Sequence, residues 1–195
     1  MNQIRSVGAV AGYFLVWLAV LALLGACTER EVIQIGFIGG VSGRVADLGI
    51  GGRNGVTLAV EMRNKSGGVA GRQIELISED DQQDPGAARA AVGRLIERKV
   101  VAIVGPMTSA MAVAAVPLVN EARVLMISPT VTAKALAGLD DYFFRVIDST
   151  TEYARKSADF HLTRQRSRRV AVAYDLRNQA YTESWLEDYK KTFDC

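Results

Sequence analysis

From residue 32 onward, short β-branched apolar runs alternate with longer stretches of helical periodicity. Residues 32–38 (Val-Ile-Gln-Ile-Gly-Phe-Ile) suit a buried strand, and Gly39, Gly40 and Gly43 make the loop that follows. Val56, Ala59, Val60 and Arg63 then fall at helical spacing, and residues 64–71 break that helix. Residues 72–78 alternate polar and apolar, as a second strand should. Asp84-Pro85 is a helix start: an aspartate cap, then a proline where its missing N–H costs nothing. Ala88, Ala91, Val92, Leu95 and Ile96 continue it as one apolar stripe. Residues 100–104 read as a third strand, and residues 109–120 as an almost wholly apolar, buried helix with Pro117 expected to kink it. Residues 124–127 and 142–146 read as strands four and five.

Strands separated by helices this regularly predict an α/β fold, a parallel sheet flanked by helices on both faces. After Asp148 the texture changes. Residues 149–162 read as a helix capped by Ser149, with Glu152 completing a capping box. Arg164, Arg166, Arg168 and Arg169 crowd the next turn, either an interaction patch or a solvated loop. A strand over residues 170–174 and a helix over 180–193 follow. That is one and a half βα units, too little to bury a core alone. The expected organisation is a first domain over residues 32–146 and an incomplete second one over 147–195, its remainder beyond Cys195.

The first residues are of another kind. Arg5 precedes an uncharged run over residues 7–24, and Leu24-Gly25-Ala26-Cys27 closes it. A basic start, an apolar core and small residues before a cysteine make a secretory signal over residues 1–26. The segment resembles a bacterial lipoprotein signal, which implies lipidation at Cys27 and a tether over 27–31. An uncleaved membrane anchor is the other reading of the same run. Either places the rest outside the cytoplasmic membrane, on a periplasmic or extracellular face.

Composition narrows the partners. Lys and Arg number 23 and Asp and Glu 21; Arg5 leaves with the signal, so the mature balance is about +1. That excludes the basic face a nucleic acid demands. With Cys27 spoken for, only Cys195 remains, which excludes a disulfide framework within the chain.

Neither G-x-G-x-x-G nor G-x-x-x-x-G-K-[ST] occurs, so the glycine-rich loop predicts no dinucleotide or triphosphate site. His161 is the only histidine and reads as a surface residue, and no serine or cysteine sits in a G-x-S-x-G setting. Glu79, Asp80 and Asp81 form an acidic turn without companion ligands, so no metal, cofactor or enzyme activity is expected. Two polar loops remain: residues 105–109 (Gly-Pro-Met-Thr-Ser) and 128–132 (Ser-Pro-Thr-Val-Thr), both at carboxyl ends of parallel strands, where open α/β sheets place ligands. Ser109 opens the buried helix, and its hydroxyl with the adjacent amides can cradle a carboxylate. Thr130 and Thr132 offer a carbonyl and a hydroxyl to an ammonium. The competing reading makes Ser109 an N-cap and the second loop a turn.

These motifs resemble those of the periplasmic binding proteins of the leucine/isoleucine/valine type, the extracytoplasmic receptors of ABC importers. The resemblance rests on residues 35–38 with Ser42-Gly43, on 68–76 (Gly-Val-Ala-Gly-Arg-Gln-Ile-Glu-Leu) and on 79–85 (Glu-Asp-Asp-Gln-Gln-Asp-Pro). It continues through Gly105-Pro106, Ile127-Ser128-Pro129, Phe144-Arg145-Val146 and residues 170–175. It implies two lobes closing by a hinge on an amino acid of branched-chain type or a similar small polar solute, for delivery to an ABC permease. A sensor domain of the same fold, or a truncated non-binding remnant, are the alternatives. By this resemblance Ser109 contacts the solute carboxylate, Thr130 and Thr132 accept from its ammonium, and Tyr181 comes from the second lobe. Leu48 stands where an aromatic is often found, and with Met107 it is a candidate pocket wall. Gln83 and Thr108 occupy positions that some members join by a disulfide.

Overall fold

In the computed structural model, which describes residues 31–44 and 46–194, five strands carry the molecule: β1 (Ile33–Gly39), β2 (Ile74–Asp80), β3 (Ala102–Val104), β4 (Leu125–Ser128) and β5 (Phe143–Arg145). All pair in parallel in the order β2-β1-β3-β4-β5. Helices α1 (Ala46–Lys65), α2 (Pro85–Glu97) and α3 (Ser109–Ala122) connect them. The α/β parallel sheet flanked by helices is therefore the observed architecture. Strand order reverses between β1 and β3, and such a switch point opens a crevice at the strands' carboxyl ends. The predicted leader and Cys27 lie outside the described residues, as does Cys195. Among the described residues no helix is long and apolar enough to cross a membrane.

Alternation along β1 decides which helix meets which face. A side chain added at Gly36 would meet Leu95 of α2 and Ile103. Ile38, of the same parity, is buried with Leu95, Ile103, Met111 and Met126 in the main core beneath α2 and α3. Gly39 points the other way, toward Phe37 and Met107, and Met107 also touches Gly52 of α1. So α1 lies over the opposite face. Local signals act as expected at α2, where the Asp84 carboxylate accepts from Ala87 N at 2.8 Å and Pro85 opens the helix. Helix α3 runs through Pro117 and buries Met111, Ala112, Ala115, Val116 and Val119.

Beyond β5, α4 (Thr150–Thr163) and α5 (Gln179–Phe193) pack together around Ala154, Ala158 and Tyr189. Three expectations fail here. Residues 170–174 form no strand; they are exposed and unpaired. β-propensity becomes a strand only against a neighbour, and among the described residues none faces this run. Ser149 sits at the N-cap of α4 without a side-chain cap bond, and Glu152 turns to Arg155, so neither half of the capping box forms. His161 is half-buried against α5, its Nδ1 2.5 Å from the Tyr189 hydroxyl. The four-arginine cluster lies in an exposed loop.

Asp188 anchors α5 to the loop after β4. It accepts from Lys134 Nζ at 3.0 Å and from the Thr151 hydroxyl at 2.8 Å. Burial alone would raise its carboxyl, but the bonds from Thr151 and Lys134, with the charges of Lys134 and Lys191, hold it below the ordinary 3.8. A depressed folded pKa means the anchor is complete above about pH 4 and fails as pH falls through the lowered value. Asp188→Asn is expected to lower the melting temperature by about 4 °C at pH 7. Melting temperatures of the two proteins should converge as the pH falls through the lowered Asp188 value; a constant gap would show that the charge contributes nothing.

Candidate functional site

The loop after β3 and the loop after β4 meet at the carboxyl edge of the sheet. The Ser128 hydroxyl donates to Pro106 O at 2.7 Å, and Thr130 Oγ1 donates to Met107 O at 2.6 Å. These bonds fix one loop on the other. Ser109 Oγ accepts from the amides of Thr132 (3.3 Å) and Ala133 (3.2 Å). Its oxygen is thus engaged as an acceptor, and its own proton remains to donate. Thr132 is only 6% exposed, and its Oγ1 has no hydrogen-bond partner.

Above these loops lies a cavity of about 420 Å³, within the range of small-molecule sites. Its floor is Thr108, Ser109, Thr130 and Thr132; its sides are Leu48 of α1, Met107, Ile147, Tyr153 of α4 and, from the start of α5, Asn178 and Tyr181. All six residues singled out for a pocket (Ser109, Thr130, Thr132, Tyr181, Leu48 and Met107) line this one space. Thr108, Ile147, Tyr153 and Asn178 join them unannounced. None of the lining side chains carries a charge at neutral pH. The electrostatics come from the N-terminus of α3, whose first amides lack intrahelical partners and carry partial positive charge. Hydroxyls, helix amides and an apolar wall suit a small solute with a carboxylate at one end and a hydrocarbon side chain at the other.

A second cavity, about 510 Å³, adjoins the first and shares Thr108 and Asn178 with it. Arg44 and Asp175 pair across its mouth. Gln83 and Thr108 meet here through a 3.4 Å hydrogen bond.

The acidic turn is engaged structurally except at Asp81 Oδ2, which is buried without a hydrogen-bond partner. Glu79 pairs with Arg94. Asp80 accepts from Val41 N, Ser42 Oγ and Gln82 N. Asp81 is fully buried and accepts from Gln83. Burial pushes the Asp81 carboxyl up; the Gln83 bonds oppose this only in part, and Asp80 adds to it. Among the described residues no group of three or more histidine, cysteine or acidic side chains could hold a metal.

Comparison with known proteins places the fold in a family. The family described as "Periplasmic binding protein" matches residues 32–194. The "Leucine-, isoleucine-, valine-, threonine-, and alanine-binding protein" of Pseudomonas aeruginosa is 32% identical over 165 residues, 84% of this chain and 44% of that protein. The crystal structure of the leucine binding protein LivK from Thermotoga maritima has a TM-score of 0.76 at 25% identity, covering 84% of this chain and 46% of that one. The branched-chain amino acid transporter substrate binding protein LivJ from Streptococcus pneumoniae, solved with isoleucine, has a TM-score of 0.71 at 30% identity, covering 82% and 47%. The chain thus spans about half the length of the relatives it matches.

Proposed function

The chain belongs to the periplasmic binding protein family, and from that premise we propose that it captures a branched-chain amino acid, or a similar small polar solute, for an ABC permease. Family members are solute-binding proteins and not enzymes. The observation that carries the reading is that Ser109, at the N-terminus of α3, and Thr132, whose buried hydroxyl has no hydrogen-bond partner, line one cavity together with apolar side chains. The solute carboxylate accepts from the Ser109 hydroxyl and from amides at the α3 N-terminus; Thr130 O and Thr132 Oγ1 accept from its ammonium. Leu48, Met107 and Ile147 surround the side chain. Residues 32–146 act as the first lobe and 147–195 as the start of the second, which brings Tyr181 onto the solute. Hinge closure then presents a closed form, favoured by the bound solute, to the permease. The counter-charge for the ammonium comes from outside this cavity's lining, which is uncharged.

Cys27 holds the protein to a bacterial membrane by a lipid on its exported face. Titration of the purified protein with leucine, isoleucine and valine is expected to give micromolar or tighter binding, and the absence of heat with all three would overturn the reading. In cells, Cys27→Ser is expected to abolish fatty-acid labelling; persistent labelling would remove the anchor from the scheme.

A further inference from the structure

Asparagine is among the best residues for capping the helix it precedes. Asn178 stands at the N-cap of α5, yet its side chain makes no bond to that helix. It reaches across to α3 instead, where its Oδ1 accepts from Ala110 N at 3.0 Å. Helix α3 has a vacancy for such a partner, since its own N-cap, Thr108, makes no side-chain cap bond. The turn that carries Asn178 is built without its side chain. Asp175 Oδ1 accepts from Arg177 N at 3.0 Å, and the Thr182 hydroxyl donates to Asp175 O at 3.0 Å. Nothing local therefore calls for this asparagine.

The Ala110 bond also fixes which way the amide faces. An N–H donor selects the carbonyl oxygen, so the Nδ2 end, with two protons, is the other tip of a side chain that stands between the two cavities and lines both. A second feature of that cavity points to a ligand independently: Thr132 Oγ1, buried and without a partner.

We propose that Asn178 is a ligand-contacting residue that selects for a carboxylate, its Nδ2 donating to the solute anion while its Oδ1 clasps the α3 N-terminus. This rests on the solute-binding reading above and deepens it. The α3 cradle supplies donors from one side of the anion; Asn178 supplies one from the segment that closes over it. A neutral side chain at this place does two things at once: it satisfies a helix amide and adds a donor without placing a second negative charge beside the solute.

Leucine and leucinamide, titrated against the wild type, Asn178→Ala and Asn178→Asp, test this. Asn178→Ala is expected to weaken leucine about tenfold. Asn178→Asp is expected to weaken it about a hundredfold, because the new carboxylate faces the solute's own. Leucinamide, which lacks the anion, should lose far less with Asp, so the preference for leucine over leucinamide collapses. A purely structural clasp predicts the reverse. A carboxylate binds a helix N-terminus better than an amide, so Asp would then retain or tighten binding of both solutes alike, and that outcome overturns the proposal. Circular dichroism melts confirm that both variants fold. If the wild type binds neither solute, the solute-binding reading itself fails, a result distinct from wild-type binding that the variants leave unchanged.

Discussion

Ser109→Ala is expected to reduce both stability and solute binding, whereas Thr132→Val reduces binding alone. The two hydroxyls lie in the same cradle but do different work. Ser109 Oγ receives two amides, those of Thr132 and Ala133. Alanine leaves both without a partner in a buried loop, at a cost of about 2–4 kcal/mol. The loop they hold also forms the cavity floor, so leucine affinity should fall at least tenfold. Thr132 Oγ1 has no partner to lose, and valine fills nearly the same volume. Stability should hold or rise slightly, because an unsatisfied buried hydroxyl is a burden. Leucine affinity should fall by about 1–3 kcal/mol as the ammonium loses an acceptor. Thermal melts and leucine titrations of both variants provide the check. Unchanged titrations for both would remove the site as assigned, and an unchanged melt for Ser109→Ala would deny its role in the loop.

Gly49→Ala is expected to be among the most damaging single-methyl additions in the fold. A Cβ at Gly49 would stand 2.0 Å from Gly40 O and 2.5 Å from Gly40 C. Both are backbone atoms of the loop after β1, so no rotamer change relieves the overlap, and α1 must lift off the sheet. That movement carries Leu48 out of the cavity wall and parts Gly52 from Met107, which are already in contact. A loss of about 3 kcal/mol or more is expected, together with much weaker leucine binding. Gly51, two residues along the same helix, has nothing within 4 Å of an added Cβ. There Gly51→Ala should stabilise by about 0.5–1 kcal/mol through helix propensity. Urea unfolding of the pair separates a steric demand at Gly49 from a general preference for flexibility in α1. Equal effects would refute the close approach.

Much of this protein is local and therefore legible without coordinates. Apolar β-branched runs mark where strands can form, and the Asp84-Pro85 pair marks a helix start through a cap bond only three residues long. The polar loops after β3 and β4 announced themselves by position, since a parallel sheet must present them at one edge. Leu48 and Tyr181 were placed near them by family likeness, and Met107 lies in the first of them; all three line the same cavity. Other features depend on what stands opposite. Residues 170–174 have the composition of a strand and remain unpaired, because strand formation needs an edge that composition does not supply. His161 is drawn half inside by Tyr189, a contact made across 28 positions of sequence. Asn178 looks like an ordinary cap of its own helix. Its partner at Ala110 is 68 residues away, so its service to another helix became visible only in three dimensions. Short-range hydrogen bonding and hydrophobic periodicity thus determined the elements and the edge where the site lies, whereas strand order, the unpaired segment and the reach of Asn178 were decided by packing between distant parts of the chain.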